Sequence, residues 1–430
     1  MDDKKIELEL GDEDVLGGEG QLRQHERYEP GELVVGLDIG TTKICCVVGE
    51  TYDDEVNIIG VGTVPSQGLK KGVVVNIEST VTSIRRAVQL AEEDAGCDLG
   101  SVYVYVGIAG NHIKGFNSPG IVAVNNREIK QADIDEVIAA ARTVKISENQ
   151  QIIHVMPQEY MVDDHTGIQN AIGMTGVRLV TNVHIVTADI GAVHNLVTCC
   201  NKAGLEVAEL VLESIASSHA VLSKDEMELG VALIDIGGGT TDLAVFCDGT
   251  IRHTCEIGLG GHNLTNDLSV GLRTPLQEAE RLKEDFGGAI ASVIKPNLVV
   301  DVPTVGDRDP RKVTQKVLVD ILEARVLEIL EMMNSELIAS GQKNKINGGV
   351  VITGGTALLA NLVELAEQIF DMPVRIGYPA GISGKVEDLH SPRCTTAVGL
   401  VMFGRNKRDE MSRQESTVMT RVKDWIKKIM

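Results

Sequence analysis

Apolar runs bounded by glycine turns recur along the chain, and two of them share one design. VALIDIGGGTTDLAVFCDGT (231–250) reads as an apolar strand, a turn of Gly237, Gly238, Gly239, Thr240 and Thr241, and a second apolar strand. LVVGLDIGTTKICCVVG (33–49) repeats it, with Asp38, Gly40, Thr41 and Thr42 in the places of Asp235, Gly237, Thr240 and Thr241 once a short gap is allowed. Continuous Val/Ile/Leu runs suit strands buried on both faces, and turns of glycine and small residues bring backbone N–H groups against an anion. One copy alone reads equally well as a tight hairpin with a glycine bulge. Two distant copies, each with Asp before the turn and Thr after it, read as one device written twice.

The remaining pattern predicts a duplicated α/β layout. Residues 1–31 are acidic and aperiodic, the pattern of a disordered tail. A helix is predicted over Ile77–Ala95, with Val81, Ile84, Val88 and Leu90 at helical spacing and Ser79 or Thr80 as its cap. Strand, helix, strand, strand (101–110, 131–144, 151–162, 176–188) marks 100–181 as an inserted small domain. A helix over Ile215–Leu222 closes the first half, and Lys224–Glu228 reads as a polar hinge. After the second hairpin, a strand and glycine turn in 251–268 parallel VNIIGVGTV (56–64). Helices over Pro275–Phe286 and Val313–Ser340 flank an irregular 291–310; a strand, the pair Gly354–Gly355 and an amphipathic helix follow within 348–370, and a last apolar helix in 394–404. The resulting divisions are 1–31, 32–99, 100–181, 182–228, 229–271, 272–345, 346–384, 385–404, a linker at 405–415, and 416–430.

Bulk properties narrow the classes. The 430 residues are enough for two or more domains, and with 43% hydrophobic but only 3% aromatic residues the cores must be aliphatic. A net charge of -22 argues against broad nucleic-acid binding. The eight cysteines form no C-x-x-C pair and follow no signal peptide, a reducing-compartment pattern. No apolar run has the length of a membrane span, so a soluble or peripheral cytoplasmic protein is expected. The exception to the acidic balance is STVMTRVKDWIKKIM (416–430). Val418, Met419, Val422, Trp425, Ile426 and Ile429 fall on one side of a helix, and Arg421, Lys423, Lys427 and Lys428 take the rest, the composition of an interfacial membrane anchor. Packing on the body or on a partner is the alternative.

The two hairpins and the Gly354–Gly355 turn make three phosphate or nucleotide devices, which together imply a nucleotide held between two similar domains. The turn amides of Gly40, Gly237, Gly238 and Gly239 can face phosphates, Thr41, Thr42, Thr240 and Thr241 can add hydroxyls, and Lys43 is placed to counter phosphate charge, a solvated lysine at the strand start being the alternative. Asp38 and Asp235 are placed to hold Mg²⁺ through water, because that ion prefers oxygen ligands and keeps several waters. No G-x-x-x-x-G-K-[ST] occurs, so this is not a P-loop.

LDIGTTK, ESIASSHAVL (213–222), IDIGGGTTD, VITGGTALL (351–359) and TTAVGL (395–400) resemble, in order, the five nucleotide-site motifs of the actin, sugar-kinase and heat-shock-chaperone ATPase superfamily. Within it, VNIIGVG, IIHVMPQEYMVDD and GIQNAIGMTGVRL are similar to blocks of the FtsA family, the bacterial cell-division actins, so the resemblance runs from Leu33 to Gly404. It implies an actin-like (ribonuclease H-like) duplicated two-domain ATPase fold with an inserted subdomain 1C and a C-terminal amphipathic helix. It further implies ATP and Mg²⁺ as ligands, Gly354 and Gly355 as the adenosine motif, Glu280 and Lys283 on the ribose or base side, and Glu213 orienting an attacking water in a weak ATPase. Region 100–181 matches subdomain 1C, used for protomer contacts and for recruiting later division proteins. Region 272–345 matches subdomain 2B, where Arg311, Arg325 and Glu328 match contacts to the FtsZ C-terminal peptide; Arg325 and Glu328, one turn apart, read alone as an intrahelical ion pair. The implied function is a polymer-forming anchor of FtsZ filaments (the Z ring) on the cytoplasmic face of the membrane at the division site. A small-molecule kinase and an actin-like component of pilus assembly are the rival readings.

Overall fold

The computed structural model describes residues 32–408, apart from 53–54, 101, 295–297 and 307–308. The tail at 1–31 and the amphipathic helix at 416–430 lie outside the described residues. Strands Glu32–Ile39, Lys43–Tyr52 and Glu55–Pro65 form an antiparallel meander; Tyr103–Ile108 joins parallel to the first of them, and Glu206–Leu212 parallel to Tyr103–Ile108. The second half repeats the order and the strand senses. Val231–Ile236, Thr241–Cys247 and Thr250–Ile257 form the meander, and Val350–Thr353 then Val374–Ile376 extend it in parallel. The duplication read from two hairpins is therefore a duplication of five-stranded sheets. A sixth strand, Ile382–Gly384, adds to the first sheet beside Glu55–Pro65, so the chain returns to the first half before residue 385, where the sequence placed that return.

Strand periodicity explains the continuous apolar runs. Successive side chains point to opposite faces: Val231 and Leu233 enter the core of the first half, while Ala232, Ile234 and Ile236 enter that of the second. Both faces are buried, so every position of the strand must be apolar until Asp235.

Several boundaries differ from expectation for local reasons. Helix Ile77–Ala95 has the expected span, but its cap is Asn76, whose side chain accepts from Ser79 N–H at 3.1 Å. Ser79 and Thr80 lie inside the first turn. Lys224–Leu229 is a helix and not a hinge, because Ser223 and Glu226 form a reciprocal capping box. Within 291–310, Val299–Val302 pairs antiparallel with Arg311–Thr314. The last helix runs from 395 through 408, so the first four residues of the expected linker are helical.

The insertion is a four-stranded sheet, Lys114–Glu128, Thr175–Asp189, Gln150–Val162 and His165–Ile168 in spatial order, with helix Gln131–Arg142 packed on it. Its expected limits, 100–181, move to about 110–189, since Tyr103–Ile108 pairs within the first large sheet and residues 182–189 continue an insertion strand. The insertion docks on strand Thr250–Ile257, an edge of the second sheet. His184 Nδ1–H donates to Asn117 Oδ1 (2.7 Å), and Thr254 Oγ1–H donates to His184 Nε2 (2.9 Å). Asn117 Nδ2 reaches the Arg252 carbonyl (3.0 Å) and Gln158 Nε2 that of Ile251 (2.9 Å). His184 is fully buried, and burial, reinforced by His253 and His154, depresses its pKa to about 3.

A base with a depressed folded-state pKa contributes stability above its unfolded pKa of about 6.5 and loses it as pH falls toward 3. The stability difference between wild type and His184→Ala is therefore expected to shrink by roughly 1 kcal/mol per pH unit between pH 6 and 4. Denaturant titration at these pH values checks it; a pH-independent difference would show that the ring does not enter the fold neutral.

Candidate functional site

The two hairpin turns meet tip to tip. Each is four residues long and closed by the same bond, Gly40 N to the Lys43 carbonyl (3.1 Å) and Gly237 N to the Thr240 carbonyl (3.0 Å). No gap separates the copies. Lys43 holds the place of Thr240, and Cys45, opposite Asp38, holds that of Asp242, opposite Asp235. A Cβ on Gly238 would lie 1.8 Å from Thr42 Oγ1, and one on Gly239 2.4 Å from Thr41 Oγ1. Glycine is required here because the opposing turn occupies the side-chain space. The second turn is braced by helix Gly261–Leu272, whose Gly261 and His262 amides bond the Gly237 and Gly238 carbonyls at 2.9 and 2.7 Å.

Beside the turns opens a cleft of about 830 Å³, within the range of small-molecule and cofactor sites. Of the expected ligand-binding residues, Asp38, Gly40, Thr41, Thr42, Lys43, Glu213, Asp235, Gly237, Gly238, Gly239, Thr240, Glu280, Lys283, Gly354 and Gly355 line it together. Thr241 does not. It is fully buried and its hydroxyl is spent on the Leu259 carbonyl (2.9 Å), because the in-register turn ends at Thr240 and Thr241 begins the next strand. Gly354, at φ 86°, packs where a Cβ would meet Asp235 Oδ1 at 2.4 Å, so the glycine lets its turn approach the strand that carries Asp235. Gly354–Gly355 opens a short 3-10 turn, Gly355–Leu358, ahead of helix Leu362–Phe370.

The floor of the cleft is acidic. Asp235 is 5% exposed and accepts from Ser217 Oγ–H (2.7 Å) and Thr396 Oγ1–H (3.4 Å). Burial, with repulsion from Asp38, raises its pKa to about 6 against those hydrogen bonds. Asp38 is raised by burial and opposed by the Lys43 ammonium 3.4 Å away. Glu213, the first residue of helix Glu213–Val221, is pushed well above the carboxylate range by burial and by Asp38, Asp242 and Asp235. Behind them, burial and Asp235 raise Asp242 to about 8, and burial and Asp242 raise Glu256 well above its usual value. Asp242 Oδ1 and Glu256 Oε1 are buried behind the cleft lining without a hydrogen-bond partner, a costly state. Among the described residues no three His, Cys, Asp or Glu side chains are grouped so as to hold a metal by themselves.

The far side of the cleft suits a nucleoside. Leu264, Leu358, Leu359, Val64, Pro65 and Pro392 supply apolar wall. Lys283 Nζ bonds Glu280 (2.8 Å), Thr265 Oγ1 (2.9 Å) and the Gly261 carbonyl (3.3 Å). Arg393 closes the rim on Glu284 at 2.7 Å.

Sequence reasoning passed over Ser217, Thr396, Asp242, Glu256 and Arg393. The first three sit inside motifs already quoted, where the spacing from Asp235 gives no sign that they converge on it. Glu256 and Arg393 carry no motif. The proposed peptide contacts are engaged internally: Arg325 Nε bonds Asp267 Oδ2 at 2.6 Å and its guanidinium also pairs with Glu328, while Arg311 donates to the Leu272 carbonyl.

The family profile described as "Cell division protein FtsA" matches residues 232–399, and that described as "SHS2 domain inserted in FTSA" matches 110–187. Across nearly the whole chain, the similarity to the "Cell division protein FtsA" of Pseudomonas aeruginosa is 45% identity over 411 residues, 93% of this chain and 98% of that protein. The chain belongs to the FtsA family. FtsA of Escherichia coli strain K12 is 38% identical (93% and 96% covered) and that of Bacillus subtilis 42% (88% and 84%). A profile for the type IV pilus assembly protein PilM matches only 164–290. Solved structures confirm the actin-like fold: a PilM–PilN type IV pilus biogenesis complex aligns with TM-score 0.62 at 15% identity (87% of this chain, 99% of that one), and MreB5 of Spiroplasma citri bound to AMPPNP with 0.55 at 14% (89% and 98%). The FtsA profile and the FtsA relatives make this a cell-division protein with the FtsA insertion, which sets aside the pilus and kinase readings. No helix among the described residues is long and apolar enough to cross a membrane.

Proposed function

We propose that this FtsA-family chain holds ATP and Mg²⁺ between its two halves, assembles into polymers, and tethers FtsZ filaments to the cytoplasmic face of the membrane at the division site. The observation that carries the nucleotide reading is the pair of four-residue turns, each two residues after a buried Asp, that meet tip to tip beside one cleft, the second braced by a helix N-terminus. Both turns touch one phosphate chain only if the halves are closed on it, so occupancy biases closure and assembly. The related fold of Spiroplasma citri MreB5, solved with AMPPNP and with ADP, supports this reading. The buried carboxylates of Asp38 and Asp235 on the cleft floor fit a hard cation, which they would hold through water and which would supply charge neutralisation between the phosphates and the acidic floor. Lys43 pairs Asp38 and presents a cation to the phosphates. Burial, with Asp38, Asp242 and Asp235, raises the pKa of Glu213 well above the usual carboxylate range, which would weaken it as an acceptor of a water proton and suits a nucleotide used as a switch.

In this reading the FtsZ C-terminal peptide binds at Arg311, Arg325 and Glu328, and later division proteins bind the insertion. A peptide carboxylate there would have to displace Asp267 or Glu328 from Arg325. Arg325→Glu is expected to lower affinity for an FtsZ C-terminal peptide at least tenfold with ATP affinity unchanged, measured by fluorescence anisotropy. Peptide affinity that persists while thermal stability falls would leave Arg325 as a helix ion pair alone.

A further inference from the structure

Two thiols meet behind the wall of the cleft. Cys45 lies on strand Lys43–Tyr52, opposite Asp38 on one side and Thr63 on the other. Cys394 ends the 3-10 turn Pro392–Cys394, just ahead of the last helix. The Cys394 thiol donates a hydrogen bond to Cys45 Sγ, and Thr63 Oγ1–H donates to the same sulfur at 3.3 Å. The Lys43 ammonium attracts both sulfurs in their ionised form. Both cysteines are buried, while Lys43, Thr63, Arg393 and Thr396 around them line the cleft, so a water-sized reagent has only that wall to pass. Other near pairs do not suit a bridge. Cys45 and Cys46 are successive on a strand and point to opposite faces, and Cys255 pairs in register with Leu243, four residues along the strand from Cys247.

We infer that Cys45 and Cys394 form an oxidant-responsive dithiol whose disulfide weakens nucleotide binding. The effect on binding rests on the reading of the cleft as a nucleotide site. The co-reactant is a peroxide. Two hydrogen-bond donors and a cation favour the Cys45 thiolate, the attacking species. Its sulfur attacks one oxygen of hydrogen peroxide, the O–O bond breaks, and Cys45 becomes a sulfenic acid while the other oxygen leaves as water with the proton the thiol gave up. The Cys394 sulfur then attacks the Cys45 sulfur, the S–O bond breaks, and the hydroxyl leaves as a second water with the Cys394 proton. The two thiols lose two electrons in all, and one peroxide becomes two waters. A disulfide holds its sulfurs about 2 Å apart, closer than any hydrogen bond, so the turn is drawn towards strand Lys43–Tyr52. That turn ties the return of the chain to the second half. The Pro392 carbonyl accepts from Gly354 N–H at 3.1 Å, Arg393 pairs with Glu284 at 2.7 Å, and Thr396, just beyond, donates to Asp235. Displacing it loosens the nucleoside wall and the carboxylate floor together. The coupling is reciprocal: bound nucleotide disfavours the disulfide.

The test treats the reduced full chain with hydrogen peroxide, with and without Mg-ATP, and maps linked peptides by mass spectrometry under non-reducing conditions. A Cys45–Cys394 peptide is expected as the main product, formed more slowly with Mg-ATP and absent from Cys45→Ser and Cys394→Ser. Mg-ATP affinity, by isothermal titration, is expected to fall about tenfold on oxidation and to return with dithiothreitol, while peroxide leaves the affinity of each variant as it was. In glutathione buffers, saturating Mg-ATP then raises the reduction potential of the pair by about 30 mV, the same tenfold for a two-electron couple. The wild-type peptide map decides whether the bridge forms, however the variants fold. Cys45 and Cys394 still free after other thiols are oxidised, or linked to different cysteines, overturns the inference, and so does a disulfide that leaves Mg-ATP affinity unchanged. A reduced chain with no affinity for Mg-ATP overturns the nucleotide reading and the switch with it, a case told apart because the linked peptide still forms.

Discussion

Replacing Asp235 with asparagine is expected to lower Mg-ATP affinity about 100-fold and, at pH 8, to make the nucleotide-free protein more stable. The two effects have one cause. Asp235 is buried beside Asp38, and its pKa is raised to about 6. A carboxyl whose folded-state pKa is raised keeps its stabilising contribution below the unfolded value of about 3.8 and loses it as pH rises through 6. At pH 8 the fold therefore carries a buried anion at a cost of a few kcal/mol, a cost that a bound cation offsets. Asn accepts the Ser217 hydroxyl equally well but removes the charge, so the fold gains what the metal site loses. A loss of about 2.7 kcal/mol of charge-assisted binding corresponds to the 100-fold figure. Isothermal titration of Mg-ATP and thermal melts at pH 6 and 8 read both arms. Unchanged ATP affinity, or a variant destabilised at pH 8, would show that Asp235 is a structural acceptor for Ser217 and Thr396 and nothing more.

Removing residues 416–430 is expected to abolish binding to anionic vesicles, a loss of at least 1,000-fold in partitioning, with Mg-ATP affinity unaffected. Each large apolar side chain buried in the interface contributes about 1.5–3 kcal/mol, and each Lys or Arg near an anionic surface about 1 kcal/mol. The body contributes the opposite sign, with a net charge of -22 over the whole chain. Trp425→Glu should remove most of the same binding with the cations left in place. Vesicle flotation of the three proteins decides it, and residual binding of the truncated chain would place the membrane contact on the body.

How much of this was legible in the sequence follows from what each signal depends on. The hairpins were, because a strand buried on both faces admits only apolar residues and its turn only small ones; Asp235 stands out against that background. The exact correspondence of the two turns was not. Matching Thr to Thr required a gap, whereas the backbone aligns Lys43 with Thr240, since hydrogen-bond closure and not side-chain identity sets the turn length. Thr241 was misplaced for this reason. The insertion limits erred where a strand's apolar pattern does not say which sheet it joins: Tyr103–Ile108 pairs with Glu32–Ile39, a partner about seventy residues away. Glu256 comes to lie behind the cleft floor through strand pairing with Asp242, and Arg393 reaches the rim through the chain return, contacts that no local pattern encodes. The helix cap is Asn76, one turn upstream of the expected Ser79 or Thr80.

The most direct test of the whole account is flotation of FtsZ filaments with vesicles of about 30% phosphatidylglycerol, run with this chain in the presence and absence of ATP and Mg²⁺. The account predicts that FtsZ rises with the vesicles when the chain and nucleotide are both present, and stays at the bottom of the gradient with Asp235→Asn or without residues 416–430. Recovery of FtsZ in the vesicle fraction to the same extent without nucleotide, or with the truncated chain, would contradict it.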